Sequence, residues 1–171
     1  MTEYWTHGSD IMDYIRDLID TNLKTSMGLV FVSVGKLYQI AASATMTSNV
    51  PCVLVSIDDE TPIDAAEVGL DLIAHYPIRI VYVRKFADSE EVEKTKANAI
   101  ETIANYLMEK RHNIGGDTGS GDMSLTGGLV TNVRLASMEY TAPEGAEEMV
   151  LNKSLVVAAC TLLVTVISTG S

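Results

Sequence analysis

The pattern of apolar and polar positions is clearest in residues 88–111, DSEEVEKTKANAIETIANYLMEKR. Its apolar side chains recur three and four positions apart, which is the spacing of one face of an α-helix. Asp88 and Glu91 have the spacing of a capping box. Lys110 and Arg111 carry the positive charge that the C-terminal end of a helix favours. Together these features predict an amphipathic helix over 88–111, whose apolar stripe comprises Val92, Ala99, Ile100, Ile103, Ala104, Leu107 and Met108.

A shorter amphipathic helix is predicted near the N-terminus, after an arm formed by residues 1–9. Ser9 or Asp10 can cap its first turn, because short polar side chains accept hydrogen bonds from the free N–H groups there. The helical pattern stops between Lys24 and Gly28. The solvent-exposed face of this helix is charged. The opposite, apolar face comprises Ile11, Tyr14, Ile15, Leu18 and Ile19.

Strands are predicted where branched and aromatic residues dominate. Pro51 leads one of them, at a position where its missing N–H matters least. Residues 66–76 are compatible with helix or strand, and the alternation of Val68, Leu70 and Leu72 favours strand. The segment that closes the chain is apolar on both faces, so both faces need a cover. Besides residues 66–76, the predicted strands are 29–40, 51–57, 78–86, 129–140 and 149–168.

The order of these elements predicts an α+β fold, with a mainly antiparallel β-sheet flanked by two amphipathic helices. At 171 residues the chain is expected to form a single domain over residues 1–171. Residues 113–128 interrupt the pattern, because six glycines in NIGGDTGSGDMSLTGG exclude regular structure. This segment is therefore predicted to be a flexible loop.

Composition narrows the possible partners. The net charge is −11 and the sequence pI is about 4.5, so a broad basic surface that grips phosphates is not expected. Such a chain could still surround nucleic acid without adhering to it. Cys52 and Cys160 lie in apolar runs and are expected to be buried reduced thiols rather than a disulfide, since the N-terminus has no export signal. The apolar run 155–167 is shorter than the roughly 20 residues of a membrane helix, so no membrane contact is expected.

No catalytic, cofactor or metal signature stands out in the sequence. His7, His75 and His112 are scattered, and no cysteine pair accompanies them. Asp117 begins the triplet Asp-Thr-Gly of aspartic proteases, but here the triplet lies among glycines rather than between apolar strands. A flexible loop is the preferred interpretation, and a protein without enzymatic activity is expected.

An acidic stretch runs between Lys36 and Arg79 without an intervening Lys or Arg. Three interpretations remain open: a solvated face, a calcium or magnesium site, or a surface that repels a polyanion. The spacing of the carboxylates matches no EF-hand loop. The acidic residues are Asp58, Asp59, Glu60, Asp64, Glu67 and Asp71.

The chain resembles the tail terminator proteins of tailed bacteriophages, and more broadly their neck and tail-completion proteins. The resemblance covers roughly residues 10–168 and rests on an N-terminal helix followed by the segments VGKLYQI, PCVLVSIDDE, YPIRIVYVRK, VRLASMEYTAP and SLVVAACTLLVTVIS. It implies a virion structural protein at the head–tail junction, made in the host cytoplasm. Such proteins form a ring, usually a hexamer, that caps the tail tube and joins it to the head connector. The implied partners are other copies of the chain, the tail tube protein, the head-completion or connector protein and passing DNA.

Two rival interpretations stay open. The Gly-rich loop is longer than the resemblance implies, which fits another neck or tail-tube-related ring protein. A non-viral oligomeric α+β binding domain is the second rival.

Two surfaces are expected to carry assembly. The last strand and the loop are expected to contact a neighbouring subunit or partner, through Gly116, Asp117, Gly119, Asp122, Met123, Leu125 and Val164. Ile114, Met123 and Leu125 are the apolar anchors that are expected to order the loop against that partner. The alternative is a surface loop with no role. Asp58, Asp59 and Glu60 are expected to face the channel of the ring.

Overall fold

The elements of the fold are defined by a computed structural model, which describes residues 7–37, 49–58, 63–65, 72–86, 89–115, 123, 125, 128–141 and 155–168. The helices are α1 (His7–Asn22), α2 (Lys24–Met27), α3 (Ser89–Glu109) and α4 (Arg111–Ile114). The strands are β1 (Phe31–Val34), β2 (Cys52–Ile57), β3 (Ile63–Ala65), β4 (Leu72–Lys85), β5 (Gly128–Glu139) and β6 (Leu155–Ser168).

The strands form one sheet in the order β1-β2-β4-β6-β5, and β3 pairs with β4 beyond the end of β2. The pairing of β1 with β2 is parallel and all other pairings are antiparallel. The pairing of β4 with β6 runs through all 14 residues of each strand, from Leu72 opposite Ser168 to Lys85 opposite Leu155. The predicted α+β class with a mainly antiparallel sheet is confirmed.

Helices α1 and α3 cover one face of the sheet, which we call the inner face. Alternate residues of the long strands point into it because side chains of a strand alternate between faces. Ile78 of β4 and Leu162 of β6 are fully buried there, together with Ile15 of α1 and Ile103 of α3. Each such side chain stabilises the fold by about 2 kcal/mol through removal of apolar surface from water. The apolar stripe predicted for α3 therefore packs as expected.

The opposite, outer face has an apolar core of its own at one end of the sheet. Val81 and Val83 of β4 pack there with Leu54 of β2 and Val157 of β6. Leu37, which follows β1, is buried against the same cluster. The last strand is therefore covered on both faces within the subunit along this part of its length. This explains why its sequence is apolar at nearly every position.

Several predicted boundaries are wrong. The strand predicted over 29–40 ends at Val34, and Leu37 is helical because it packs into the outer cluster rather than extending the sheet. Helix α1 begins at His7, so Ser9 and Asp10 lie inside its first turn and cannot cap it. Residues 38–40 lie outside the described part of the chain.

The helix ends show the same kind of difference. Gly28 terminates α2 in the left-handed conformation with φ of 64°, within the range predicted for this end. Helix α3 ends at Glu109, so Lys110 and Arg111 follow it instead of forming its last turn. Of the ambiguous segment 66–76, residues 72–76 are strand, as preferred, and 66–71 lie outside the described residues, as do Asp88 and 149–154.

Candidate assembly surfaces

Asp58 lies on the outer face, where it is the first residue after β2. Its carboxylate Oδ1 is 3.7 Å from Nε of Arg79 in β4. Nη2 of the same guanidinium donates to Oε1 of Glu139 in β5 at 3.1 Å. Asp58, Arg79 and Glu139 form what we call the outer charge cluster. One cation is shared between two carboxylates, so the cluster has a formal charge of −1.

The register of the sheet brings these three residues together. Pairing of β2 with β4 places Ile57 opposite Ile78, which leaves Asp58 beside Arg79. Strand β6 lies between β4 and β5, and Thr161 occupies the position opposite Arg79. A short side chain at that position leaves room for the guanidinium to extend over β6. Arg79 is only 22% exposed, and its buried Nε has no hydrogen-bond partner in the described part of the chain.

This arrangement changes the expectation for the acidic stretch. Along the sequence, no Lys or Arg lies between Lys36 and Arg79, but in the fold Arg79 lies directly beside Asp58. The charge of Asp58 is therefore partly compensated within the subunit. Asp59 and Glu60 lie outside the described residues, so a channel-facing position for the three carboxylates stays a prediction.

The described residues that were expected at a subunit interface lie in or against the main core of their own subunit. Val164 is fully buried on the inner face, inside the main core. Leu125 is buried in the same core, Met123 packs against it, and Ile114 is fully buried. The loop anchors are therefore held by their own subunit, and the expectation that they wait for a partner loses its basis. An interface role for this loop remains a prediction that rests on Gly116, Asp117, Gly119 and Asp122, which lie outside the described residues.

Apolar surface that is free for a partner occurs at one end of the sheet. Val30 precedes β1 and Phe86 follows β4, and they are 47% and 52% exposed. They lie at the same end because Phe31 pairs with Cys52, which in turn pairs with Val83. We call Val30 and Phe86 the apolar end. Sequence reasoning missed it, since both residues read as parts of buried strands.

Polar contacts also join α3 to the residue that follows β5. Lys96 is buried, and its Nζ donates to the carbonyl oxygen of Tyr140 at 2.7 Å and to Oε1 of Glu93 at 2.7 Å. The Tyr140 hydroxyl donates to Oε1 of Glu101 at 3.0 Å, and this bond to a carboxylate raises the pKa of Tyr140. A buried lysine is unusual unless its charge is paired, so these contacts fix the position at which the chain leaves β5.

Both thiols and the imidazole of His75 are engaged in contacts within the fold. Cys52 packs in the outer cluster and Cys160 in the main core, so the sheet separates the two free thiols. Burial raises the pKa of each to about 12. His75 Nδ1 lies 3.0 Å from Oγ1 of Thr165, and His112 is exposed. Among the described residues, no group of histidine, cysteine and carboxylate side chains is arranged to hold a metal ion.

No helix in the described part of the chain is long and apolar enough to cross a membrane.

Comparison with solved structures finds chains with a similar fold. No protein-family model matches the sequence, and no curated protein matches it either. A chain in the solved structure described as "Virion of native gene transfer agent (GTA) particle" has a similar fold, with a TM-score of 0.50 and 12% sequence identity. The similarity covers 94% of this chain and 96% of that chain. At this identity it shows a shared fold over almost the whole length of both chains.

Proposed function

We propose that this chain is a virion structural protein: a tail terminator or neck protein that forms a homo-oligomeric ring of six copies at the head–tail junction. The ring caps the tail tube and joins it to the head connector, and DNA passes through it without specific binding. The partners are further copies of the chain, the tail tube protein and the head-completion or connector protein.

The observation that carries this proposal is the fold shared with a chain of a gene transfer agent virion over 94% of this chain. A match over nearly the full length of both chains fits a protein whose whole body is one structural unit of a particle. The sequence resemblance to tail terminators covers roughly residues 10–168 and points to the same class of protein by a separate route.

The charge of the chain supports a role around DNA. A net charge of −11 in 171 residues opposes adhesion of DNA to the ring wall. Asp59 and Glu60 are the residues proposed to face the channel. Asp58 would add the part of its negative charge that Arg79 does not compensate. The outer charge cluster, in which two carboxylates share one cation, supports a negative rather than a positive charge at this place.

The apolar end supports contact with another protein. Val30 and Phe86 expose large apolar side chains next to Arg84 and Lys85, the last residues of β4. Aromatic side chains and arginine are enriched in protein interfaces. We assign this end of the sheet, together with Gly116, Asp117, Gly119 and Asp122 of the loop, to contacts within the ring or with an adjoining ring.

Electron microscopy and sedimentation of the purified protein test the proposal. The expected result is a closed ring with the mass of six chains, which binds to one end of purified tail tubes. Compact dimers or monomers that bind no tail would contradict the proposal and favour a non-viral binding domain. Long tubes formed by this chain alone would instead identify a tail-tube-related protein, the other rival interpretation.

A further inference from the structure

A buried contact joins the first turn of α1 to the end of the last strand. His7 is the first residue of α1 and is 1% exposed. Its Nε2 lies 3.1 Å from Oγ of Ser168, the fully buried last residue of β6. The two residues are 161 positions apart in the chain, so this contact closes the fold by linking its two ends.

The space around the imidazole is closed by close packing. Gly128 begins β5 opposite Ser168, and a Cβ at Gly128 would lie 2.7 Å from both Cε1 and Nε2 of the ring. At the residue after His7, a Cβ at Gly8 would lie 2.6 Å from Cδ1 of Ile57 in β2. Both glycines therefore allow a close approach between α1 and the sheet, and a larger residue at either position would require the neighbouring side chain to move. The backbone of His7 also hydrogen-bonds the hydroxyl of Tyr76 in β4.

The groups that face His7 favour its neutral form. Among the described residues around the imidazole, Tyr76 from β4, Ser168 from β6 and Gly128 from β5 carry no charge, and Asp10 on α1 itself is the carboxylate that acts on the ring. Burial lowers the pKa of His7 below its ordinary value of 6.5, and Asp10 opposes this effect only in part. A positive charge in this closed space is poorly solvated.

We propose that His7, Ser168 and Gly128 form a pH-dependent latch, which holds the start of α1 against the ends of β5 and β6 while the imidazole is neutral and releases it when the imidazole is protonated. The latch is a property of the single subunit, so it does not depend on the ring proposed above. Opening it would free the first turn of α1 and with it the attachment point of residues 1–6.

The direction of the pH effect follows from proton linkage. The open state has the ordinary pKa of 6.5, whereas burial gives the closed state a lower value. Between these two values the open state binds more protons, so falling pH favours opening. The ratio of closed to open latch is highest above pH 6.5. Below that pH the ratio falls by up to about tenfold per pH unit, because opening takes up one proton. Below the pKa of the closed state the effect levels off.

Nuclear magnetic resonance can measure both parts of the proposal on the full chain. The imidazole protons of His7 are titrated between pH 8 and 5, with His75 and His112 as references in the same spectra. Protection factors are measured over the same range for the amides of residues 11–14, the first amides of α1 with partners inside the helix. We expect a pKa for His7 below 6.5 and a loss of protection that follows its titration.

Two variants make the result specific. His7→Gln keeps a neutral side-chain amide that can reach Ser168, so protection of residues 11–14 should no longer depend on pH. Ser168→Ala keeps the imidazole and should lower protection at every pH, with the pH dependence preserved. A His7 pKa at or above 6.5 in the wild-type chain would overturn the latch, even if neither variant folds. The same pH dependence in His7→Gln as in the wild type would overturn it as well.

Discussion

Nη2 of Arg79 in β4 donates to Oε1 of Glu139 in β5 at 3.1 Å, across the intervening strand β6. The same guanidinium lies 3.7 Å from Asp58 at the end of β2. One side chain thus connects three strands that are far apart in sequence. Its partial burial makes this contact worth more than an ion pair on the surface, where solvent screens the attraction.

Replacing Arg79 by glutamine should lower the free energy of unfolding by about 1–2 kcal/mol, because it leaves two carboxylates close together without a cation. Arg16→Gln is the matched control. Arg16 pairs with Asp13 and Asp17 on its own helix, and its loss should cost less than about 0.5 kcal/mol. Urea unfolding at low and high salt measures both. Equal effects of the two substitutions would show that the outer charge cluster does not stabilise the sheet.

Gly115→Ala should destabilise the protein by roughly 3 kcal/mol, combining steric overlap with an unfavourable backbone conformation. A Cβ at this position would overlap Cβ of Val130, and φ is 149°. Gly28→Ala separates the two causes, since Gly28 has a φ of 64° and nothing within 4 Å of the added methyl group. Its cost should stay near 1 kcal/mol, the conformational part alone.

Thermal and urea unfolding of both glycine variants provide the measurement. A Gly115→Ala variant no less stable than Gly28→Ala would contradict the close approach of Gly115 to β5.

Cys52 and Cys160 should resist thiol reagents in the folded protein and react in urea. Burial raises the pKa of both to about 12, so almost no thiolate exists at neutral pH. The measurement is the rate of alkylation followed by mass spectrometry. Because the two residues lie on opposite faces of the sheet, they should also remain unlinked under oxidising conditions. Rapid labelling of either thiol at pH 7 without denaturant would contradict this burial.

Val164→Asp should prevent folding of the subunit itself, since an unpaired charge in the main core costs several kcal/mol. Phe86→Asp is the contrasting variant, because this side chain is 52% exposed and its loss should leave the fold intact. If the apolar end is an assembly surface, the second variant should stay folded by circular dichroism while its mass in light scattering falls to that of a monomer. A folded Phe86→Asp variant of unchanged mass would exclude Phe86 from the contact.

The channel proposal is best tested at Asp59 and Glu60. Lysine at Asp58 would place a second cation beside Arg79 and disturb the sheet, so Asp58 should be left unchanged. The Asp59→Lys, Glu60→Lys double variant should form normal rings but slow the passage of DNA, because it adds positive charge to the wall. The readout is infectivity or DNA transfer by particles that carry the variant. Asp59→Gln, Glu60→Gln serves as the control for lost negative charge, and undiminished transfer by the lysine variant would refute the channel position.

The sequence by itself determined the elements whose signals are local. The apolar stripe of α3 repeats at helical spacing, and Ile100, Ile103 and Leu107 are all fully buried as predicted. The doubly apolar run that became β6 predicted a strand covered on both faces; Leu155, Val157, Ala158 and Ala159 are buried, but within the subunit rather than by a neighbour. Such signals survive because neighbours at short sequence separation set them. The α+β class followed from the order of the elements.

Only the tertiary structure decided which residues meet. Asp58 seemed isolated from cations until the pairing of β2 with β4 placed Arg79 beside it, and no local pattern marked His7 as the partner of Ser168. Leu37 likewise lies in a strand-like stretch of sequence but is helical and packs in the outer cluster. These contacts depend on strand order and register, which are set by burial summed over the whole sheet. A pattern read along the chain carries no information about that sum, because the partners it brings together are separated by tens of residues or more.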